Sequence, residues 1–388
     1  MAAPAAGPMA AAADRRFDFD VIVLRGARAL LLERFDLLRG LGSSHGESRT
    51  IRDAYPDARY PPMVRLARRL WEGAEAESGR RVLTPAPLLS LGPRSDASVL
   101  AAAGNAGAEE VGDLAARWGG AFRVPDGWVA AVSERGNAVL NATEAVRMFQ
   151  ALAAKKGAVV RDNAEVVAIR KGPEGGVVVE TSTGEEFCGA KCVVTVGAWT
   201  SKLVKSVAGV DLPVQPLHSH ERELSAEAGF PTFSSCCAPH FVYITPSLER
   251  PGMIKINYHG GPPCDPDSRD LVSGGGDVVE RVARWIDEFM PGRVETAGRP
   301  VDRLPCMYSM TPDEDFVIDF LGGEFGEDVV IGAGFSGHGF KMGPAVGSIL
   351  AEMAMDGEAR TAAEAGVELG HFRINRFDGN PMGNAKDL

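Results

Sequence analysis

Residues 304–320 read Leu-Pro-Cys-Met-Tyr-Ser-Met-Thr-Pro-Asp-Glu-Asp-Phe-Val-Ile-Asp-Phe, and residues 328–343 read Asp-Val-Val-Ile-Gly-Ala-Gly-Phe-Ser-Gly-His-Gly-Phe-Lys-Met-Gly. The apolar runs 316–320 and 329–331 predict two strands, and the second strand leads into a loop with four glycines, Gly332, Gly334, Gly337 and Gly339. Because glycine tolerates positive φ and has no Cβ, backbone N–H groups of such a loop can approach a ligand closely. A helix predicted over 344–355 directs its positive end at the loop, which favours an anionic or electron-rich ligand.

Length and composition limit the class of protein. The 388 residues are enough for two domains or one large one, and the 45% hydrophobic content supports a sizeable core. The net charge of −11 argues against nucleic acid or an anionic membrane as a partner. The apolar runs are much shorter than the roughly 20 residues of a membrane span. Six irregularly spaced cysteines without a Cys-x-x-Cys pair predict a reducing compartment and no zinc site.

The pattern of strands and helices predicts an α/β fold. Helical periodicity covers 62–77, 142–156 and 278–290, and strands are predicted over 17–23, 29–32, 159–170, 177–181, 191–196 and 251–259. Short apolar runs at 82–92 and 121–139, separated by Gly and Pro, indicate a second domain rich in antiparallel strands. His218 and His220 alternate like metal ligands, but no third ligand accompanies them, so we expect them in a loop.

The connection between the first two strands is unusually short. A dinucleotide-binding fold places a Gly-x-Gly-x-x-Gly turn and a helix there, but here only Leu24-Arg-Gly-Ala-Arg28 intervenes. A parallel pair needs a crossover of about a dozen residues or more. The two strands are therefore expected either to pair as an antiparallel hairpin around Gly26 or to merge into one strand.

Six motifs occur in order along the chain. They are Gly42-Ser-Ser-His-Gly-Glu-Ser-Arg-Thr-Ile-Arg52, Val196-Gly-Ala-Trp199, Ile254-Lys-Ile-Asn-Tyr-His259, Cys306-Met-Tyr308, Thr311-Pro-Asp-Glu314 and Phe335-Ser-Gly-His-Gly-Phe-Lys341. With these motifs the chain resembles the covalent-flavin amine oxidases of the monomeric sarcosine oxidase and L-pipecolate oxidase family, over most of residues 17–377. A single Gly-rich loop would be weak evidence, whereas this ordered set is specific.

The resemblance implies a truncated Rossmann-like FAD-binding domain and a second, antiparallel-sheet substrate domain. The FAD-binding domain is expected at 17–60, 140–215 and 300–377, and the substrate domain at 61–139 and 216–299. Residues 1–16 are expected to form a disordered leader, and residues 378–388 a tail.

The resemblance also implies the cofactor and its contacts. FAD is expected to bind covalently, through a thioether from Cys306 to the flavin 8α-methyl group, with Glu33 at the ribose. Arg49 would lie near the flavin and lower the pKa of the thiol. By residue type alone, Cys306 is a core cysteine, and only the motif favours the functional interpretation. The other implied cofactor positions are Ser43, Ser44, Val166, Gly197, Trp199, Gly337, Gly339 and Lys341.

The implied activity is oxidation of small secondary amino acids, such as sarcosine or L-pipecolate, to an imine or aldehyde with formation of hydrogen peroxide. Arg52 and Lys341 are expected to pair with the substrate carboxylate, although from spacing alone Arg49 and Arg52 would be two solvated arginines. Lys255 would promote the reaction with oxygen. His259 and His338 would line the pocket. We expect a monomer in the peroxisome or cytoplasm.

Two departures from the family leave alternatives open. Relatives carry roughly twenty more residues after the first strand, the pyrophosphate-binding element, and about a dozen more after Leu217. Without the pyrophosphate-binding element, several hydrogen bonds to a charged group would be lost, at roughly 1.5–3 kcal/mol each. The alternative prediction is therefore an inactive, truncated relative that is unable to bind FAD. A splice form or gene model would explain the first departure. A flavin dehydrogenase with another electron acceptor is a third interpretation, which Lys255 disfavours.

Overall fold

The computed structural model describes residues 19–22, 28–38, 40, 42–225, 230–237, 240–250, 253–268, 276–294, 296 and 303–385. The helices in this part of the chain are α1 Tyr60–Ser78, α2 Ala97–Asn105, α3 Leu114–Trp118, α4 Ala142–Lys155, α5 Thr200–Ala208, α6 Gly276–Phe289, α7 Gly343–Asp356 and α8 Arg360–Glu364. The strands are β1 Phe19–Ile22, β2 Leu30–Leu32, β3 Arg49–Ile51, β4 Leu83–Pro85, β5 Leu88–Pro93, β6 Glu109–Glu110, β7 Trp128–Ser133, β8 Ala138–Leu140, β9 Val159–Arg161, β10 Val166–Lys171, β11 Val177–Thr181, β12 Glu186–Val194, β13 Gln215–Ser225, β14 Thr232–Cys237, β15 His240–Pro246, β16 Met253–Tyr258, β17 Arg303–Met310, β18 Val317–Phe320 and β19 Val329–Ala333.

A six-stranded mixed sheet contains β18 and β19, the two strands predicted at 316–320 and 329–331. Its order is β10-β11-β12-β19-β18, and β1 pairs with β12. Both faces are apolar, as a sheet covered on both sides requires. Val330 packs on one face with residues of α1 and α7, whereas Val329 and Ile331 pack on the other face with Val204 of α5.

The first two strands do not pair with each other. β1 runs parallel to β12, with Phe19 opposite Gly189. β2 runs parallel to β9, with Leu30 opposite Val159, in a separate two-stranded sheet. Within the described residues, both the expected hairpin and the expected merged strand are therefore wrong, because each strand takes its partner from a distant part of the chain. The short connection, including Gly26, lies with residues 23–27 outside the described residues. The single strand predicted over 159–170 is divided in two: β10 lies in the six-stranded sheet, whereas β9 pairs with β2.

An eight-stranded sheet forms the second layer, in the order β17-β13-β16-β15-β14-β5-β7-β6. All of its pairs are antiparallel except β5 with β14. Ile254 and Ile256 pack on Trp285 of α6. Since side chains alternate along a strand, Lys255 points to the opposite face of this sheet, towards Gly46 and Ser48. The mixed α/β fold with an antiparallel second sheet is confirmed.

Several elements cross the expected division of the chain. α1 packs against α7, beside the first sheet, and β17 forms an edge of the second sheet. The domain boundaries given above stay a prediction. His218 and His220 lie in β13, so their expected placement in a loop is wrong, because β13 pairs with both β16 and β17. Within the described residues, no helix has the length and apolarity needed to cross a membrane.

Candidate active site

A cavity of about 2810 Å³ is lined by residues from both large sheets. Most of the sequence-predicted site residues lie on its wall. They are Glu33, Ser43, Ser44, Arg49, Arg52, Val166, Gly197, Trp199, His259, Cys306, Gly337, His338, Gly339 and Lys341. The fold therefore brings together residues that are as much as 308 positions apart in the chain (341 − 33).

The glycine-rich loop needs glycine at its centre. Gly337 has φ +73°, and a Cβ there would lie 2.6 Å from the Tyr308 ring and 2.8 Å from the His259 ring. The neighbouring Ser336 also has positive φ, and its hydroxyl donates to the carbonyl of Gly334 at 3.0 Å. The backbone N–H of Thr311 donates to the same hydroxyl at 3.2 Å. The loop is thus fixed close to two aromatic side chains.

Cys306 and Arg49 form a pair beside this loop. The Cys306 side chain is buried on β17, and the Arg49 Nη2 atom lies 3.8 Å from its Sγ atom. The guanidinium is held by the carbonyls of Ser43, His45 and Ser48 at 2.7–3.0 Å. A cation in this position favours the thiolate form of a cysteine.

Lys255 is fully buried, with 0% of the residue exposed. Its Nζ atom lies 3.4 Å from the carbonyl oxygen of Ser48, which also accepts a hydrogen bond from Arg49. The Ser48 hydroxyl in turn contacts the Thr245 hydroxyl at 3.0 Å. Two positive side chains from different sheets therefore converge on one carbonyl group.

A second cationic group lies around His259. Lys341 is buried, and its Nζ atom donates to the Tyr55 hydroxyl and to the His338 carbonyl, each at 2.8 Å. The Arg52 guanidinium lies 5.5 Å from the centroid of the Tyr55 ring. Burial, followed by the charges of Arg52 and Lys341, lowers the pKa of His259 to about 4. This local positive potential in an acidic protein suits a small anion.

Glu33 and Trp199 lie on another part of the wall. Burial raises the pKa of Glu33, and its carboxylate accepts the backbone N–H of Phe35 at 3.0 Å. Trp199 packs against Phe35, with ring centroids 5.4 Å apart. The Trp199 indole N–H donates to Asp267 at 2.8 Å.

Asp267, which also lines the cavity, accepts hydrogen bonds from three side chains. Besides Trp199, it accepts from Arg34 at 2.7 Å and from Lys202 at 2.5 Å. These hydrogen bonds, that from Lys202 first, hold the pKa of Asp267 far below its ordinary value. A loop after β16 is thereby joined to β2 and α5.

Sequence reasoning missed Tyr55, Tyr243, Tyr308 and Asp267. Tyr308 follows Cys306 by two residues, so strand alternation was a usable signal for its place on the same face. Its hydroxyl lies 2.9 Å from that of Tyr243. Asp267 had no such signal, because its partners are 65 to 233 residues away.

The residues of this cavity fit FAD. A glycine lies where a Cβ would collide with two rings, a thiol lies beside a guanidinium, and a half-buried acid, Glu33, directly follows β2. The chain shares its fold with NikD, described as an unusual amino acid oxidase essential for nikkomycin biosynthesis (TM-score 0.74, 20% identity, 90% of this chain and 91% of that one). It also shares the fold of an L-proline dehydrogenase from P. horikoshii (TM-score 0.75, 20% identity, 91% and 92%).

Residues 21–353 match the family model described as FAD dependent oxidoreductase, and the chain belongs to this family. It is 48% identical to a probable sarcosine oxidase of Arabidopsis thaliana, over 94% of this chain and 90% of that protein. It is 33% identical to the peroxisomal sarcosine oxidase of Homo sapiens (90% and 90%) and 32% identical to the monomeric sarcosine oxidase of Bacillus sp. strain B-0618 (91% and 90%). The expected family is confirmed, and the protein is a flavin-dependent oxidoreductase with FAD as its cofactor.

Proposed function

We propose that this protein oxidises small secondary amino acids such as sarcosine or L-pipecolate, with FAD attached covalently through Cys306. The relatives named sarcosine oxidase support the substrate class. The observation that carries the proposal is a pair of cationic groups: Arg52 with Lys341 around His259, and Arg49 with Lys255 at the Ser48 carbonyl. The first would receive a substrate carboxylate, and the second would stabilise negative charge on oxygen.

Arg52 and Lys341 would hold the carboxylate of the substrate. An arginine offers a planar fork of donors and a lysine offers a compact charge, so together they orient a carboxylate as well as attract it. Orientation of the reacting C–N unit is itself a large contribution to rate. His259 and His338 are neutral at pH 7, because burial lowers the pKa of each, followed by the charge of Arg52 for His259 and of Lys341 for His338. Neither is assigned a proton-carrying role.

Bound FAD would accept two electrons from the substrate C–N unit and return them to oxygen, giving hydrogen peroxide and an imine that remains cyclic or hydrolyses. Arg49 would stabilise the sulfur that anchors it, and Lys255 would stabilise negative charge on reduced oxygen. The names of the relatives support a monomer in the peroxisome, and the cytoplasm remains the other proposed location. The family and these relatives favour the oxidase over the inactive alternative.

The anchor is tested by the visible spectrum of purified protein before and after acid precipitation. We expect yellow colour to stay with the pellet, and Cys306→Ala to release it into the supernatant. Cys188→Ala is the matched control, because this cysteine is a free thiol remote in sequence from the motif. Colour that leaves the wild-type pellet would contradict the covalent link.

The substrate class is tested by peroxide formation with sarcosine, L-pipecolate and L-proline. Normal flavin content with no peroxide from any amine would eliminate the oxidase proposal. Turnover of these amines with an artificial dye but not with oxygen would indicate a dehydrogenase instead.

A further inference from the structure

The C-terminal segment, residues 369–384, contacts the loop 311–316 that precedes β18. The segment contains two short 3-10 turns, Leu369–Phe372 and Ile374–Phe377. It lies beyond residue 353, where the match to the family model ends. Its contacts nevertheless lead to the cationic group around Lys341.

Arg376 anchors one side of the loop through a buried ion pair with Asp313. Its Nε atom donates to Oδ2 at 2.7 Å and its Nη2 atom to Oδ1 at 3.2 Å, with 6% and 0% of the two side chains exposed. Nη2 also donates to the carbonyl of Asp315 at 3.0 Å. The backbone N–H of Asn384 donates to Asp313 at 2.9 Å. A bidentate pair of this kind fixes geometry as well as charge.

Asp315 anchors the other side. It accepts a hydrogen bond from the Tyr60 hydroxyl at 2.6 Å and contacts His371 Nε2 at 2.5 Å. Asn384 Nδ2 donates to it at 3.2 Å. The Tyr60 ring stacks on the Tyr55 ring at 4.9 Å, with an interplanar angle of 18°. The position of Tyr55 therefore depends on an acid that the C-terminal segment holds.

Between these two anchors lies Glu314, which has φ +59°. Its carbonyl oxygen is 3.1 Å from His338 Nε2, and His338 Nδ1 is 3.1 Å from the Tyr55 hydroxyl. Because an ammonium group only donates, Lys341 makes the Tyr55 oxygen an acceptor, and the Tyr55 proton then points to His338 Nδ1. His338 is left as the neutral tautomer that donates from Nε2 to Glu314. The hydrogen bonds thus form one chain in a single direction, in which Lys341 donates to Tyr55, Tyr55 to His338, and His338 to the carbonyl of Glu314.

We propose that Arg376, His371 and Asn384 are positioning residues of the anion-binding site. They hold Asp313 and Asp315, so that the Glu314 carbonyl and Tyr60 fix His338 and Tyr55. These two residues in turn fix the ammonium of Lys341. The inference rests on the proposed function only in taking a substrate carboxylate as the natural anion.

The test measures binding of acetate to the flavin-loaded protein by calorimetry, with acetamide as the neutral comparison. Arg376→Gln breaks the first anchor, and Tyr60→Phe removes one hydroxyl from the second while keeping the ring. We expect each to weaken acetate binding by about tenfold and to leave acetamide unchanged. Arg373→Gln is the matched control, since Arg373 is exposed in the same segment. Asp315→Asn keeps an acceptor for Tyr60 and should bind acetate better than Asp315→Ala.

The flavin spectrum and the melting temperature are recorded in parallel. A variant that loses thermal stability but binds acetate as the wild type does would show a merely structural role and overturn the inference. So would a wild-type protein that binds no acetate. If Arg376→Gln fails to fold, His371→Phe, which removes the contact of the same segment with Asp315, takes its place in the comparison. Normal acetate responses without turnover of any amino acid would contradict the proposed substrates and leave this inference supported.

Discussion

His259 illustrates how single residues of this site are set by their surroundings. Its pKa falls from an ordinary 6.5 to about 4 through burial, Arg52 and Lys341. Between these two pH values the unfolded chain binds a proton at this histidine and the folded chain does not. The free energy of unfolding should therefore decrease as the pH falls from 6.5 to 4, by up to about 1.4 kcal/mol per pH unit from this group. Urea unfolding of His259→Gln should show a shallower decrease than the wild type over this range. Equal slopes would contradict the placement of His259 among the cations.

At this scale the motifs of the sequence predicted residues that lie together on the cavity wall, such as Cys306, Arg49 and Lys341, and their chemical roles stay a prediction. It did not predict Tyr60 with Asp315, which lie 255 residues apart. Their hydrogen bond depends on how α1 and the loop before β18 pack. No local sequence pattern predicts this packing, because a single Tyr or Asp is by its type alone an ordinary core or surface residue.

The glycine-rich loop contributes Gly337 and Gly339 to the cavity wall. Gly337→Ala would add the cost of a positive φ and a collision with Tyr308 and His259. Gly79→Ala is the matched control, because Gly79 has φ +70° with nothing within 4 Å of the added Cβ. Both should lose about 1 kcal/mol of stability from backbone conformation, and Gly337→Ala a further ~1–3 kcal/mol from overpacking. Urea unfolding and the ratio of flavin to protein measure both effects. Equal losses in the two variants would show that the collision is relieved without cost.

The sequence predicted individual helices and strands better than it predicted which strands pair with each other. The helices α1, α4, α6 and α7 and the strands β18 and β19 all follow from local periodicity. The pairing of β2 with β9 and of β13 with two neighbours does not, because strand pairing is settled between distant segments. The same limit hid Asp267, whose three hydrogen bonds join a loop after β16 to β2 and α5.

At the scale of the whole molecule, both large sheets line one cavity, so FAD would act as a shared part of the core. A ligand that binds only the folded state raises the melting temperature according to its concentration and affinity.

The sequence lacks the Gly-x-Gly-x-x-Gly turn between β1 and β2, which leaves fewer hydrogen-bond donors for the pyrophosphate of FAD. Inserting that turn with its helix, roughly twenty residues, should strengthen FAD binding by about a hundredfold or more, the effect of two hydrogen bonds to a charged group.

This last experiment uses Cys306→Ala as the background, so that a covalent link does not hide the affinity. The melting temperature is followed over increasing FAD, for the protein with and without the insertion. An insertion with its glycines changed to valine is the control, because it adds the same length without room for the backbone to approach a phosphate. If the natural chain binds FAD as tightly as the chain with the glycine turn, the donors around the described cavity are sufficient. The connection between β1 and β2 would then have no part in holding the pyrophosphate.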